Sequence, residues 1–290
     1  MKKNHKDLYF LLILAMMTWG LSWTNAKVLG SYSDARVIMV WRFTITSIFF
    51  IPIVYFTKNP FKVTFKGFLF TLVNAFFITL YNYFFLKGTH IGLAGKGGVL
   101  VTTLNPIFTS ILAVFILNNN FKLKDILGLT LGLIGGAIII EFWNIDLYEL
   151  KRSGSIYFIL AAFSYACVTI LSSQSKPNIP FISYSFWSFL FSAIISLIIT
   201  RGMDLKQVFF YDYIFWLNMI FLSIGALGFG TTIYFLASIK LGAKKASSFI
   251  FTVPITAITF AMIFLDETLT LNIIVGGFLG SISVYIINKD

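Results

Sequence analysis

The stretch NPIFTSILAVFILNNNFKLKDILGLTLG, residues 105–132, returns in altered form as VPITAITFAMIFLDETLTLNIIVGGFLG, residues 253–280. The two align without a gap at an offset of 148, with Pro106 on Pro254, Leu117 on Leu265, Gly128 on Gly276 and Gly132 on Gly280. Upstream, LAMMTWG (14–20) matches LAAFSYA (160–166) at an offset of 146, which sets Thr18 on Ser164 and Trp19 on Tyr165. Matches that fall in the same order along both halves mark an internal repeat, and a repeat decides an architecture.

What repeats is apolar. Of 290 residues, 58% are hydrophobic and 11% charged, with 34 phenylalanines; a soluble domain carries about twice that charged fraction. The net charge of +11 is spread between apolar runs, which suits a membrane surface and not a nucleic acid. One cysteine, Cys167, excludes a disulfide framework, and with only His5 and His90 beside it there is little for a metal site or imidazole catalysis. No cofactor is implied. The chain reads as an integral membrane protein.

A spanning helix needs about 20 mostly apolar residues. Reading between charges gives ten candidates: 8–26, 37–57, 67–86, 97–121, 126–140, 153–175, 177–200, 213–239, 246–265 and 268–288. The first lacks a small-residue cleavage site and reads as a retained helix, not a leader. With ten spans both ends lie on one side, together with 13 basic residues and three acids; the other side has eight of each. The positive-inside rule then puts both termini in the cytoplasm, as expected for a multi-pass plasma-membrane protein.

The fold class expected is all-α, ten transmembrane helices arranged as two five-helix repeats, 8–141 and 153–288, joined by a linker at 142–152. Five is odd, so the second unit enters the membrane from the opposite side. Such inverted-topology repeats are a plan of many secondary transporters, with substrate held near the midplane between the units.

The two units resemble the paired EamA-type domains of the drug/metabolite transporter superfamily. The resemblance is carried by WGLSWTNAK (19–27), WRF (41–43), NPIF with the following FIL and GLTLGLIGG, and LGAKKASSFIFTVPITAITFAMIFLDETLT (241–270). It implies a ten-helix carrier moving metabolites, often amino acids, out of the cytoplasm. LDE (265–267) is similar to the family's Leu-Gly-Glu turn, whereas LNNN (117–120) lacks the glutamate, which favours a hairpin-capping role for that carboxylate.

Candidate site residues are polar or aromatic positions at mid-span depth. Trp19, Ser22, Trp23 and Ala26 share one helix face; an aromatic cavity and an interfacial belt both remain open for the tryptophans. Asn74, Tyr81 and Asn82 share a stripe, and amides in hydrocarbon must meet protein or water, either as a polar lining or as a helix–helix hydrogen bond. Tyr165, Trp187, Thr231 and Tyr234 complete the substrate-binding set. Arg42 lies five residues inside its span, about 7.5 Å along the axis, so snorkelling to the interface and capture of a carboxylate or phosphate are both open. Pro106 and Pro254 each remove an intrahelical hydrogen bond and are expected as paired kinks or hinges. Gly128, Gly132, Gly136, Gly276 and Gly280 form GxxxG faces that could pack the fifth span on the tenth or join a homodimer.

No acid falls in the interior of any span, which favours facilitated diffusion of a neutral or zwitterionic solute over proton exchange. The expectation is a uniporter-like exporter of amino acids or similar zwitterions, with no catalytic residue. A proton-coupled carrier of a drug, nucleotide-sugar or organic anion is the alternative, ahead of a membrane enzyme or a channel. No P-loop, zinc motif or nucleophile elbow occurs.

Overall fold

The computed structural model describes residues 6–117, 123–144, 150, 152–175, 179–268 and 270–288. Ten helical segments account for nearly all of them. In the first half these are α1 (Lys6–Gly30), α2 (Ala35–Phe56), α3 (Phe65–Ile91), α4 (Ala94–Leu117) and α5 (Leu123–Ile139). In the second half they are α6 (Ser155–Gln174), α7 (Phe181–Ile199), α8 (Tyr213–Leu241), α9 and α10 (Leu271–Asn288). Segment α9 is built of three pieces in succession, Ala243–Ser248, a 3-10 turn Phe249–Thr252 and Val253–Leu265. Seven of the ten are long and apolar enough to cross a bilayer unaided; α5, α9 and α10 are shorter or interrupted. LNNN and the far end of the fourth expected span lie largely outside the described residues, as does most of the linker.

Local chemistry sets the boundaries. The helix N-termini of α2, α3 and α8 are capped by Asp34, Thr64 and Asp212, whose side chains accept the backbone N–H of Arg36, Gly67 and Phe215. Each satisfies a donor that has no intrahelical partner. The Phe215 N–H also helps hold the Asp212 carboxyl below the usual carboxylate range. Helices α1 and α3 run past the expected ends, because Lys27, Lys87 and His90 belong to helical turns beyond the apolar stretch. Lys27 is accommodated there by donating from Nζ to the carbonyls of Gly92 (2.8 Å) and His90 (3.3 Å).

Equivalent helices of the two repeats pack on one another: α2 on α7, α4 on α9 and α5 on α10. The α5–α10 seam is made of glycine. A Cβ on Gly135 would lie 2.7 Å from the Gly276 carbonyl oxygen, and one on Gly276 would lie 2.5 Å from that of Gly135. Gly132 faces Ile107 and Ser283, Gly136 faces Leu104, and Gly280 faces Thr103, while Ser283 donates to the Gly128 carbonyl. These faces are thus used within one chain, to pack the fifth helix on the tenth and both on α4.

The repeat extends to hydrogen bonds. Thr46 of α2 donates to the carbonyl of Ser223 on α8 (2.9 Å), and Ser192 of α7 donates to that of Ala75 on α3 (3.2 Å). Thr46 and Ser192 differ by 146 positions, Ser223 and Ala75 by 148, the two offsets of the repeat. Helix two of each unit therefore grips helix three of the other. We call the side holding residues 6 and 288 the terminal face and the other the distal face.

Candidate substrate site

Four aromatic side chains from four helices converge at mid-depth. Trp19 (α1) meets Tyr165 (α6) edge-on, with ring centroids 5.2 Å apart, and Tyr234 (α8) at 5.0 Å. Tyr165 lies 4.6 Å from Tyr81 (α3) and 5.6 Å from Tyr234. Trp19 and Tyr165 are the pair matched by the repeat, so one residue from each unit forms the centre of the box. Trp19 approaches α8 because Gly230 has no side chain: a Cβ there would sit 2.7 Å from the indole nitrogen.

Beside this box is a cavity of about 20 Å³, lined by Trp19, Ser22, Trp23, Tyr81, Tyr165 and Asn105 with apolar residues of α4 and α9. Two polar atoms of its wall, the Tyr165 hydroxyl and Asn105 Oδ1, are buried without a hydrogen bond of good geometry among the described residues, the hydroxyl lying near Thr231. Leaving such atoms unpaired costs about 1–3 kcal/mol each. A polar ligand could satisfy both. The volume admits about one water, so a metabolite requires the surrounding helices to part.

Arg42 does not snorkel. It is 4% exposed; Nη1 donates to Asn82 Oδ1 (2.5 Å), Nε to the Leu222 carbonyl (3.2 Å), and Cζ lies 5.5 Å from the Phe85 ring centroid. Asn82 is oriented in turn by donating Nδ2 to the Ile78 carbonyl (2.7 Å). Among the described residues no carboxylate lies within ion-pair distance of the guanidinium. A buried charge without a counter-charge among the described residues is costly, which makes Arg42 a candidate for the site. Its neighbour Phe85 packs 5.8 Å from Tyr81 and 4.6 Å from Trp23, so the cation and the box share one wall.

The carbonyls that orient these groups come from an unusual backbone. Within α8, Phe221–Thr231 is a π-helix. Its Leu222, Ser223 and Ala226 carbonyls accept from Arg42, Thr46 and Trp19. Such segments are rare and often occur at functional sites. The sequence signal is the glycine run Gly225, Gly228, Gly230.

Of the expected site residues, the structure brings Trp19, Tyr81, Tyr165 and Tyr234 together, with Trp23 on the cavity wall and Arg42–Asn82 alongside. Thr231 ends the π-helix and is buried near Tyr165, with its hydroxyl 3.4 Å from the Ala226 carbonyl. Two expected members lie elsewhere. Asn74 donates to Ser188 of α7 (3.0 Å), a helix–helix bond, and Trp187 donates to the Phe61 carbonyl (2.9 Å) while packing on Phe186 and Phe191. Phe85 and Asn105, outside the expected set, join the site. Asn105, one residue before Pro106, donates to the Ala162 carbonyl of α6 (3.1 Å). The prolines are not equivalent in structure: Pro106 is interior to α4, whereas Pro254 opens the last piece of α9.

Comparison with known proteins places this geometry in context. The model of the EamA-like transporter family matches residues 8–141 and again 152–289. A "Probable amino-acid metabolite efflux pump" of Salmonella typhimurium is 25% identical over 272 residues, covering 90% of this chain and 88% of its own length. An "S-adenosylmethionine uptake transporter" of Rickettsia prowazekii is 29% identical over 188 residues, 64% of this chain and 61% of its own. The "Uncharacterized transporter YoaV" of Bacillus subtilis is 28% identical, and this chain spans 63% of it. One crystal structure superposes with a TM-score of 0.68 over 97% of this chain and 95% of its own at 13% identity, a likeness of fold alone.

Proposed function

The chain belongs to the EamA-like transporter family, and from that premise we propose that it exports small zwitterions, amino acids or close derivatives, by alternating access. The observation that carries this reading is Arg42, a buried guanidinium with no carboxylate partner among the described residues, beside a box of four aromatic rings. A substrate carboxylate would supply the missing charge through bidentate bonds. The aromatic faces would take its ammonium group. Both named cargoes of the relatives, amino-acid metabolites and S-adenosylmethionine, are compatible, since the latter also carries an α-amino-acid end.

The terminal face is assigned to the cytoplasm, because the ten-span reading of the sequence puts 13 basic residues against three acids on that side, which fits a plasma-membrane location. The two repeats, 8–141 and 153–288, act as the halves that rock against each other. The absence of an acid within the apolar spans supports uniport over proton exchange.

The test is a thermal-shift screen of purified protein against amino acids, the matching decarboxylated amines and the matching carboxylic acids. Amino acids are expected to raise Tm, and Arg42→Gln to abolish the shift. Counterflow in proteoliposomes with the best compound then measures transport. If amines stabilise as well as amino acids, and Arg42→Gln changes nothing, the carboxylate site is wrong.

A further inference from the structure

Glu267 follows α9 in the second repeat, yet what it caps is α4 of the first. Its two carboxylate oxygens accept the backbone N–H of Ala94 (2.7 Å) and Gly95 (2.8 Å). These are donors that the first turn of a helix leaves unpaired, at the end where the dipole favours an anion. The residue is 9% exposed. Lys27 of α1 holds the neighbouring Gly92 and His90 carbonyls. The tip of the α3–α4 hairpin is thereby tied, at the distal face, to α1 and to the α9–α10 connection.

The terminal face carries a matching tie of different chemistry. There the α8–α9 hairpin turns through Gly242, and Lys244 at its tip meets Asp125 Oδ1 in the first turn of α5 at 2.6 Å. Asp125 is 2% exposed. Lys244 stands at the repeat equivalent of Lys96, two residues beyond the Ala94 that Glu267 holds. In each case a hairpin tip of one repeat is fastened to the region joining helices four and five of the other.

The helices fastened in this way are the walls of the cavity. Val101, Thr102 and Asn105 of α4 and Ile250 and Val253 of α9 line it. Freeing the α4 end would open the cavity to the distal face, and freeing the α9 end would open it to the terminal face. With both ties made, the cavity is closed on both sides, as its small volume requires.

We propose that Glu267 is the distal gate residue and the Asp125–Lys244 pair the terminal gate, one released while the other holds. This rests on the carrier reading above but not on the choice of cargo. The gates are also predicted to respond differently to salt: an ion pair with a partly exposed lysine is screened, whereas a carboxylate on buried amides is little affected.

The test reads access, not transport. Ser22→Cys on the cavity wall, in a Cys167→Ser background, reports labelling by a membrane-impermeant maleimide in right-side-out and inside-out vesicles. Glu267→Ala is expected to raise labelling from the distal face at least severalfold and leave the terminal face at or below the parent rate. Lys244→Ala should do the reverse. Glu267→Gln, which keeps one acceptor, should fall between parent and alanine, and it carries the distal arm if the alanine variant does not fold. Unchanged labelling in a folded variant, or a rise from both faces together, overturns the proposal. Retention of the amino-acid thermal shift in Glu267→Ala and Lys244→Ala made without the Ser22 reporter would confine that failure to the gates.

Discussion

Trp41 and Trp187 stand 146 positions apart and make the same bond in opposite orientations. Trp41 donates its indole N–H to the Leu205 carbonyl in the α7–α8 connection, and Trp187 donates to the Phe61 carbonyl in the α2–α3 connection, each at 2.9 Å. Each helix two thus pins the loop entering helix three of the other repeat, one pin on each face. Replacing either by phenylalanine keeps an aromatic ring, a smaller one than indole, and removes one bond. The expected loss is about 1 kcal/mol for each, seen as a lower Tm in detergent. Because the sites lie on opposite faces without shared partners, the double variant should lose the sum to within about 0.5 kcal/mol. A strongly non-additive result would mean that the two loops are coupled through the bundle.

The symmetry explains why so much of the architecture is legible in the sequence. Apolar runs bounded by charges give the ten segments, and the paired motifs give their grouping. Helix ends are not legible, because Lys27 and His90 belong to helices whose polar groups are satisfied by tertiary bonds. At the site, the repeat alignment finds Trp19 and Tyr165. Trp187 lies away from the box, because an indole at intermediate depth suits a loop carbonyl as well as a cavity. Snorkelling remained open for Arg42 on spacing alone; only its contact with Asn82, 40 positions away, settles its place. Phe85 and Asn105 gave no local sign, since each acts through helices that converge only in three dimensions.

The Arg42–Asn82 contact predicts a rescue. Asn82→Leu leaves the guanidinium without its best acceptor in a buried setting, and should cost about 3 kcal/mol. Adding Arg42→Met removes the stranded charge, so the double variant should recover most of that stability while failing to bind amino acids. Urea or thermal unfolding in detergent reads the first effect and ligand-induced Tm shift the second. If the double variant is less stable than Asn82→Leu alone, the pair is not an energetic unit.

The glycine seam predicts a steep positional contrast. At Gly276 an alanine methyl would press on the Gly135 carbonyl, a backbone atom that cannot turn away. Gly276→Ala should therefore separate α5 from α10 and cost about 1–3 kcal/mol through overpacking. At Gly225 the nearest atoms are 3.4 Å away, on the Phe221 ring, so Gly225→Ala should stay within about 0.5 kcal/mol of the parent. Tm measured for both in one detergent checks the contrast, and equal effects would show that the seam is looser than its geometry indicates.

The two prolines should behave oppositely, although the repeat makes them partners. Pro254 opens a helical piece after a 3-10 turn, a first-turn position to which proline is suited, so its missing N–H removes little. Pro106 is interior, so the Thr102 carbonyl four residues back loses its backbone donor. The Thr102 hydroxyl does not repair this, since it donates to Gly98. Pro106→Ala restores the bond and should raise stability by about 1 kcal/mol, whereas Pro254→Ala should leave Tm close to the parent. The transport consequence follows from where Pro106 lies: it is adjacent to Asn105 on the cavity wall, and α4 is the helix whose distal end Glu267 holds. A straightened, stiffer α4 should bend less readily when that end is released. Pro106→Ala is therefore expected to slow counterflow while raising Tm. A higher Tm with an unchanged counterflow rate would make the proline a fixed kink that shapes the bundle and takes no part in its motion.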